Sequence, residues 1–221
     1  MESTNYVSLV GTIGRASTTP TSGGSVTHMS VVTEYFYKNR EGEACCEATW
    51  HNVVAWNLPQ EDIARLTKGA AVRLEGRMSH RRYTAEDGSE RSVSEIVVSK
   101  ISFPDLGSGQ AVRYENYIEI AGTVSRLSVQ QCGGKRVARY AVVTGRRGKD
   151  AAGKETVYNT WHNVVTWETP GFDFDGIREG AAILVDGRIR VRKYVDASGN
   201  DRTATEVYSS GLRFFDSITV A

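Results

Sequence analysis

Apolar residues recur at every second position through most of the ordered-looking parts of the chain. Val7, Leu9, Gly11 and Ile13 fall on one face and Tyr6, Ser8, Val10 and Thr12 on the other, which is the period of a β-strand. Val72, Leu74, Gly76 and Met78 alternate with Arg73, Glu75, Arg77 and Ser79, the pattern of a half-buried strand. Within Trp50–Trp56, the same period puts Trp50, Asn52, Val54 and Trp56 on one side and His51, Val53 and Ala55 on the other. Asp87-Gly88 and Ser198-Gly199 read as hairpin tips, and Thr33 to Ala48 and Thr144 to Tyr158 as loop-bearing hairpin arms. A helical period appears only from Pro59 to Leu66. Proline opens it, acids follow, Ile63 and Leu66 share a side, and Lys68-Gly69 stops it.

The pattern occurs twice. Trp50-His51-Asn52-Val53-Val54-Ala55-Trp56 returns as Trp161-His162-Asn163-Val164-Val165-Thr166-Trp167, an offset of 111 positions that runs without a gap. Gly11-Thr12-Ile13 answers to Gly122-Thr123-Val124, Glu75-Gly76-Arg77 to Asp186-Gly187-Arg188, and Tyr83 to Tyr194. The chain is thus predicted to hold two copies of one unit, over residues 1–104 and 114–221, joined by a linker over 105–113. Five short strands with one helix between the third and fourth is the order of a small Greek-key barrel. The expected class is all-β: two tandem OB-fold barrels, each with a short helix or turn between strands 3 and 4. In the second copy, Pro170-Gly171-Phe172-Asp173-Phe174-Asp175-Gly176 is a poor helix former and predicts a turn.

The formal charge of +1 gives no argument for a polyanionic partner, but its distribution does. Residues 1–110 carry 11 Lys and Arg against 13 Asp and Glu, or −2, and residues 111–221 carry 16 against 13, or +3. Cys45, Cys46 and Cys132 form no CxxC and cannot pair evenly, so neither zinc nor a disulfide framework is expected and a cytoplasmic setting fits. The N-terminus has no signal-like region, and no stretch approaches a membrane span. There is no carboxylate pair, Ser/His/Asp set, phosphate-cradling loop or metal spacing, so no catalytic residue, metal or cofactor is assigned and an enzyme is not expected.

The chemistry lies in the rings. Small Val53 and Ala55 suit a barrel interior, leaving two indoles displayed outward, roughly 20 Å apart at about 3.3 Å per residue. Tyr83 and the run Tyr35-Phe36-Tyr37 add rings near cations. Flat rings beside positive charge suit unpaired bases and their phosphates. The candidate phosphate contacts are Arg77, Arg81, Arg82 and Arg91 in the first copy, and Arg188, Arg190, Arg192, Lys193 and Arg202 in the second. His51 and His162, on the inward face, read as structural, as packing residues or contacts of a dimer. Glu95 and Glu206 read as partners for arginine.

These residues together resemble the bacterial single-stranded DNA-binding protein family. The likeness rests on Asn5-Tyr6-Val7-Ser8-Leu9-Val10-Gly11, the Trp50–Trp56 strand, Lys68 to Arg77, and the hairpin from Arg82 to Val97, and it covers both copies. The resemblance implies base stacking at Tyr37, Trp50, Trp56 and Tyr83, and at Trp161, Trp167 and Tyr194. The fourth position of the second copy falls on Gly148, where Gly145-Arg146-Arg147-Gly148-Lys149 offers Arg146, Arg147 and Lys149 instead of a ring. It also implies a tandem-barrel variety reaching four OB-folds as a homodimer. The family's acidic C-terminal tail has no counterpart in Leu212–Ala221, so recruitment of other proteins by that route is not expected. The function expected is coating of single-stranded DNA with little sequence preference, in replication, recombination or repair. The alternative is an OB-fold primosome-accessory or protein-interaction module with incidental DNA binding.

Overall fold

A computed structural model of the protein describes residues 1–39, 41–84, 88, 90–105, 107, 110–150, 152–195, 199 and 201–220, with Arg91 described through its backbone. Alternation becomes strand almost throughout. The first copy runs β1 (Thr4–Thr21), β2 (Gly24–Lys38), β3 (Ala44–Trp56), α1 (Gln60–Arg65), β4 (Ala71–Thr84) and β5 (Glu90–Ser102). The second runs β6 (Glu115–Cys132), β7 (Lys135–Lys149), β8 (Glu155–Trp167), a single 3₁₀ turn at Phe174–Gly176, β9 (Ala182–Val195) and β10 (Asp201–Phe215). No helix among the described residues is long and apolar enough to cross a membrane.

Each copy closes into a barrel. The first has the order β2-β3-β5-β4-β1, with β1 returning to β2; the second has β6-β7-β8-β10-β9, with β9 returning to β6. Closure is antiparallel except at one short seam per barrel, Val53↔Ile96 and Val54↔Val97 in the first and Val164↔Val207 and Val165↔Tyr208 in the second. The repeated glycines explain themselves at the neighbouring corner. A Cβ on Gly76 would collide with the carbonyl of Val97, and one on Gly187 with that of Tyr208. Only a residue without a side chain lets the strands approach there.

The predicted inward face is the core. Val7, Leu9, Ile13, Val72, Leu74 and Met78 are buried in the first barrel, and Ile118, Ile120, Val124, Ile183, Val185 and Ile189 in the second. The duplicated histidines join them. His51 Nε2 lies 2.9 Å from Thr33 Oγ1, and His162 Nε2 lies 3.0 Å from Thr144 Oγ1. Burial without a countercharge holds the His51 imidazole neutral, its pKa down to about 3. Both side chains are packing residues inside a barrel, so the expectation that they could line a dimer contact is corrected.

The segment between the third and fourth strands differs between copies as the residues dictate. Pro59, with φ of −56°, leads into a helix with Glu61 and Asp62 in its first turn and Arg65 in its last, charges that suit the helix dipole. In the second copy, Gly171 and Gly176 leave only a turn, in which Asp173 Oδ1 accepts the Gly176 N–H at 3.0 Å. Arg136 ties that turn down by pairing with Glu168 at 2.6 Å and Asp175 at 2.8 Å, while its guanidinium covers buried Phe174.

By contact the chain divides into two compact units. One comprises Val7–Asn116, and the other Tyr117–Ala221 together with Met1–Tyr6. In the latter unit the Ser3 N–H donates to the Thr219 carbonyl at 2.7 Å. Ser3 Oγ donates to the Ala121 carbonyl and accepts the Gly145 N–H. In the former, residues beyond β5 fold back, Glu115 accepting from Ser8 Oγ and pairing with Arg73 at 3.3 Å. Of the expected hairpin tips, Gly88 and Gly199 take positive φ, whereas Asp87 and Ser198 lie outside the described residues.

Candidate nucleic-acid interface

The third strand of each barrel puts its indoles where alternation said. Trp50 is 52 % exposed and Trp56 56 %, while His51, Val53 and Ala55 between them are buried. Val54 departs from the outward reading: it is buried too, at the seam with β5. In the second copy Trp161 is 41 % exposed and Trp167 half-buried. The seat beneath the first indole differs between copies. A Cβ on Gly14 would lie 2.5 Å from Trp50 Cζ3, so that ring rests against bare backbone. Trp161 instead has the Arg126 guanidinium 4.5 Å from its centroid. Arg126 has φ of 56°, at an irregularity in the β6–β7 ladder between Ser125 and Ser128.

Beyond each barrel, two strands continue as a hairpin arm, and their register decides which side chains share the indole face. Val32 pairs with Trp50, Tyr35 with Glu47, Phe36 with Cys46 and Tyr37 with Cys45. Paired residues lie on one side of the ladder and alternate along it. The ring on the Trp50 side is therefore Phe36, 66 % exposed, and not Tyr37. Tyr37 lies on the opposite side, stacked on Tyr35 at 5.8 Å and 19°. In the second arm Arg147 pairs with Val157 on the Trp161 side, and Arg146 with Tyr158 on the other. The indole face thus carries a ring in one arm and a guanidinium in the other.

Tyr83 and Tyr194 are exposed on β4 and β9, each under an arginine two residues earlier. Arg81 lies 5.2 Å from the Tyr83 centroid and Arg192 5.0 Å from that of Tyr194. These two cations are not simple phosphate contacts. Arg81 holds both oxygens of Glu95, at 3.1 and 3.2 Å, which raises its pKa further. Arg192 shares Glu206 Oε1 with Arg139, at 3.4 and 3.3 Å. The matched acids are arginine partners, and the arginines fix the tyrosines as much as they offer charge. Arg188 and Arg190 lie over Tyr208, at 5.7 and 4.9 Å. Arg77 is half-buried, Arg82, Arg146, Arg147, Lys149, Lys193 and Arg202 are exposed, and the side chain of Arg91 lies outside the described residues.

Sequence reasoning missed Phe36 as the indole's companion, Arg126 over Trp161, Arg139 at Glu206, and exposed Tyr158. No cluster of three metal-ligating side chains occurs among the described residues.

The single-stranded DNA-binding protein of Neisseria meningitidis serogroup A is 33% identical over 121 residues, covering 52% of this chain and 70% of that one. A protein of the same name from Xanthomonas campestris pv. campestris is 33% identical over 100 residues, covering 44% of this chain and 58% of that one. The wild-type single-stranded DNA binding protein from Thermus aquaticus has the same fold, with a TM-score of 0.75 at 19% identity over 98% of this chain and 95% of that one. The model of the Single-strand binding protein family matches residues 4–104 and again 116–215. Two consecutive matches that span nearly the whole sequence place the chain in the single-strand binding protein family.

Proposed function

We propose that this protein binds single-stranded DNA with little sequence preference, coating it without making or breaking a bond. One observation carries the reading: in each copy the third strand displays its indoles, Trp50, Trp56 and Trp161 exposed and Trp167 half-buried, while its other face is barrel core. Trp50, Trp56, Trp161 and Trp167 take unpaired bases, with Tyr83, Tyr194 and the arm rings Phe36 and Tyr37 extending the platform. Any base has a face to offer a ring, which is why such stacking tolerates sequence. Arg82, Arg146, Arg147, Lys149, Lys193 and Arg202 meet phosphates, supported by Arg77, Arg188 and Arg190. Arg81 and Arg192 position Tyr83 and Tyr194.

Two barrels per chain offer a short wrapping surface, and closed two-fold assembly is the commonest solution for a soluble chain. The working form is accordingly a homodimer with four barrels, serving replication, recombination or repair in the cytoplasm. The test is titration with oligo(dT) of increasing length at two salt concentrations, followed by tryptophan emission. Quenching that saturates with length, and affinity that falls with salt, are expected. Unquenched emission at saturating oligonucleotide contradicts the reading. Light scattering that gives a monomer at micromolar concentration, with affinity intact, removes the homodimer.

A further inference from the structure

The arm of the second copy carries a ring that its repeat partner does not have. Tyr158 occupies the position of Glu47, and it stands where the opposite strand has lost a ring, at Gly148 in place of Tyr37. We propose that Tyr158 is a base-stacking residue of the second unit, regained from β8 where β7 lacks one. The proposal rests on the single-stranded DNA reading above.

Three contacts hold this side chain without burying it. A Cβ on Gly148 would lie 2.9 Å from Tyr158 Cε2 and 3.2 Å from Cδ2, so the ring leans diagonally across the ladder over the missing side chain. The phenol hydroxyl donates to the Lys149 carbonyl at 2.9 Å. The Arg146 guanidinium lies 5.3 Å from the ring centroid, within reach of a cation–π attraction. The ring nevertheless stays 42 % exposed.

Arg146 and Gly148 cover only part of the ring, and the 42 % that stays exposed leaves room for a base to pack against it. A ring already fixed at its hydroxyl and its edge loses little side-chain freedom when a base arrives. One cation, Arg146, shares its side of the ladder, and Arg147 and Lys149 follow on the same strand with their side chains on the opposite side. An exposed flat ring with positive charge on the adjoining strand is the chemistry an unpaired base and its phosphate recognise. Glycine at 148 is then part of the site, because any side chain there displaces the ring.

The experiment uses the full chain and a labelled oligo(dT) of about 30 nucleotides, enough to cover two barrels at up to ~16 each. Tyr158→Ala is expected to weaken binding roughly fivefold or more, whereas Tyr158→Phe, which keeps the ring, stays within about twofold of the parent. Gly148→Ala, which leaves tyrosine in place but pushes it, also weakens binding. An oligonucleotide carrying 5-iododeoxyuridine should photocrosslink to a peptide containing Tyr158, a readout that needs no substitution. Trp161→Ala separates two failures. If it weakens binding while Tyr158→Ala does not and no crosslink forms, this inference is overturned and the function stands. If neither variant changes affinity, stacking in the second unit is overturned; only a parent chain that fails to bind the oligonucleotide would overturn the function itself. Equal losses for Tyr158→Phe and Tyr158→Ala overturn stacking as the role of the ring.

Discussion

The β2–β3 arm and the β7–β8 arm have the same backbone ladder and opposite decoration. On the indole side, Phe36 in the first is replaced by Arg147 in the second. On the other side, stacked Tyr35 and Tyr37 facing Glu47 give way to Arg146, Gly148 and Tyr158. The cores beneath are nearly the same, down to the buried Thr33–His51 and Thr144–His162 pairs. Ladder geometry fixes where a ring can stand, and divergence has chosen which strand supplies it and where a guanidinium takes its place. The half-charges of −2 and +3 are the overall trace of the same exchange. The expectation is that the first copy grips more by stacking and the second more by charge, which the following variants test.

The largest effect concerns what the copies share. The folded His51 has a pKa of about 3 against an ordinary 6.5, so between those values the unfolded chain binds a proton that the folded one refuses. Stability from this group is complete above about pH 6.5 and is lost as pH falls toward 3, with a slope of up to about 1.4 kcal/mol per unit. Urea unfolding at about pH 7 and pH 4.5 should show the loss, and His51→Gln should make it shallower. An unchanged slope would mean that the pair titrates freely.

Next come the indoles. Trp50→Ala is expected to cost about 1–3 kcal/mol of binding, roughly tenfold or more in Kd, without unfolding the protein. Trp161→Ala should cost less, because Arg126 remains to meet the base. If fluorescence anisotropy finds the parent's affinity for either variant, that tryptophan belongs to packing. The charge side is tested by Arg146→Ala, Arg147→Ala and Lys149→Ala together. A slope of about −0.7 in log K against log salt per phosphate means a flattening of up to about two units. Tyr37→Ala should instead lower affinity with little change of slope. A parent-like slope in the triple variant would reduce the charge asymmetry to surface drift. The smallest effect sharpens the arm comparison most: Phe36→Arg should steepen the salt slope by about 0.7, and Arg147→Phe should flatten it by the same amount.

Alternation and self-similarity were enough to read the two barrels, the buried His51, Val53 and Ala55 and the displayed indoles of the third strand (Val54, buried at the seam, excepted), and the loss of a helix at Gly171 and Gly176. The arms were less legible for a physical reason. Whether Phe36 or Tyr37 shares the Trp50 face depends on the pairing of Val32 with Trp50 across a loop, and one strand's alternation does not contain that register. Tyr158 was hidden by the repeat itself, since its partner position is Glu47 and the ring's place is defined diagonally, through Gly148. Arg81 and Arg192 read as phosphate contacts and Glu95 and Glu206 as partners for arginine, but only the folded strands show that the two readings meet in the Arg81–Glu95 and Arg192–Glu206 pairs. The exchange of Met1–Tyr6 into the unit of the second barrel follows from backbone hydrogen bonds at Thr219, which no side-chain pattern announces.

Whether the outward indoles are the surface on which DNA bases stack is decided by variants with one tryptophan each. With the other three replaced by phenylalanine, the chain keeping only Trp50 and the chain keeping only Trp161 are each titrated with oligo(dT). Both emissions are expected to be quenched in step with binding, Trp50 more deeply than Trp161, which Arg126 covers. Binding measured by anisotropy while both emissions stay unchanged would contradict it.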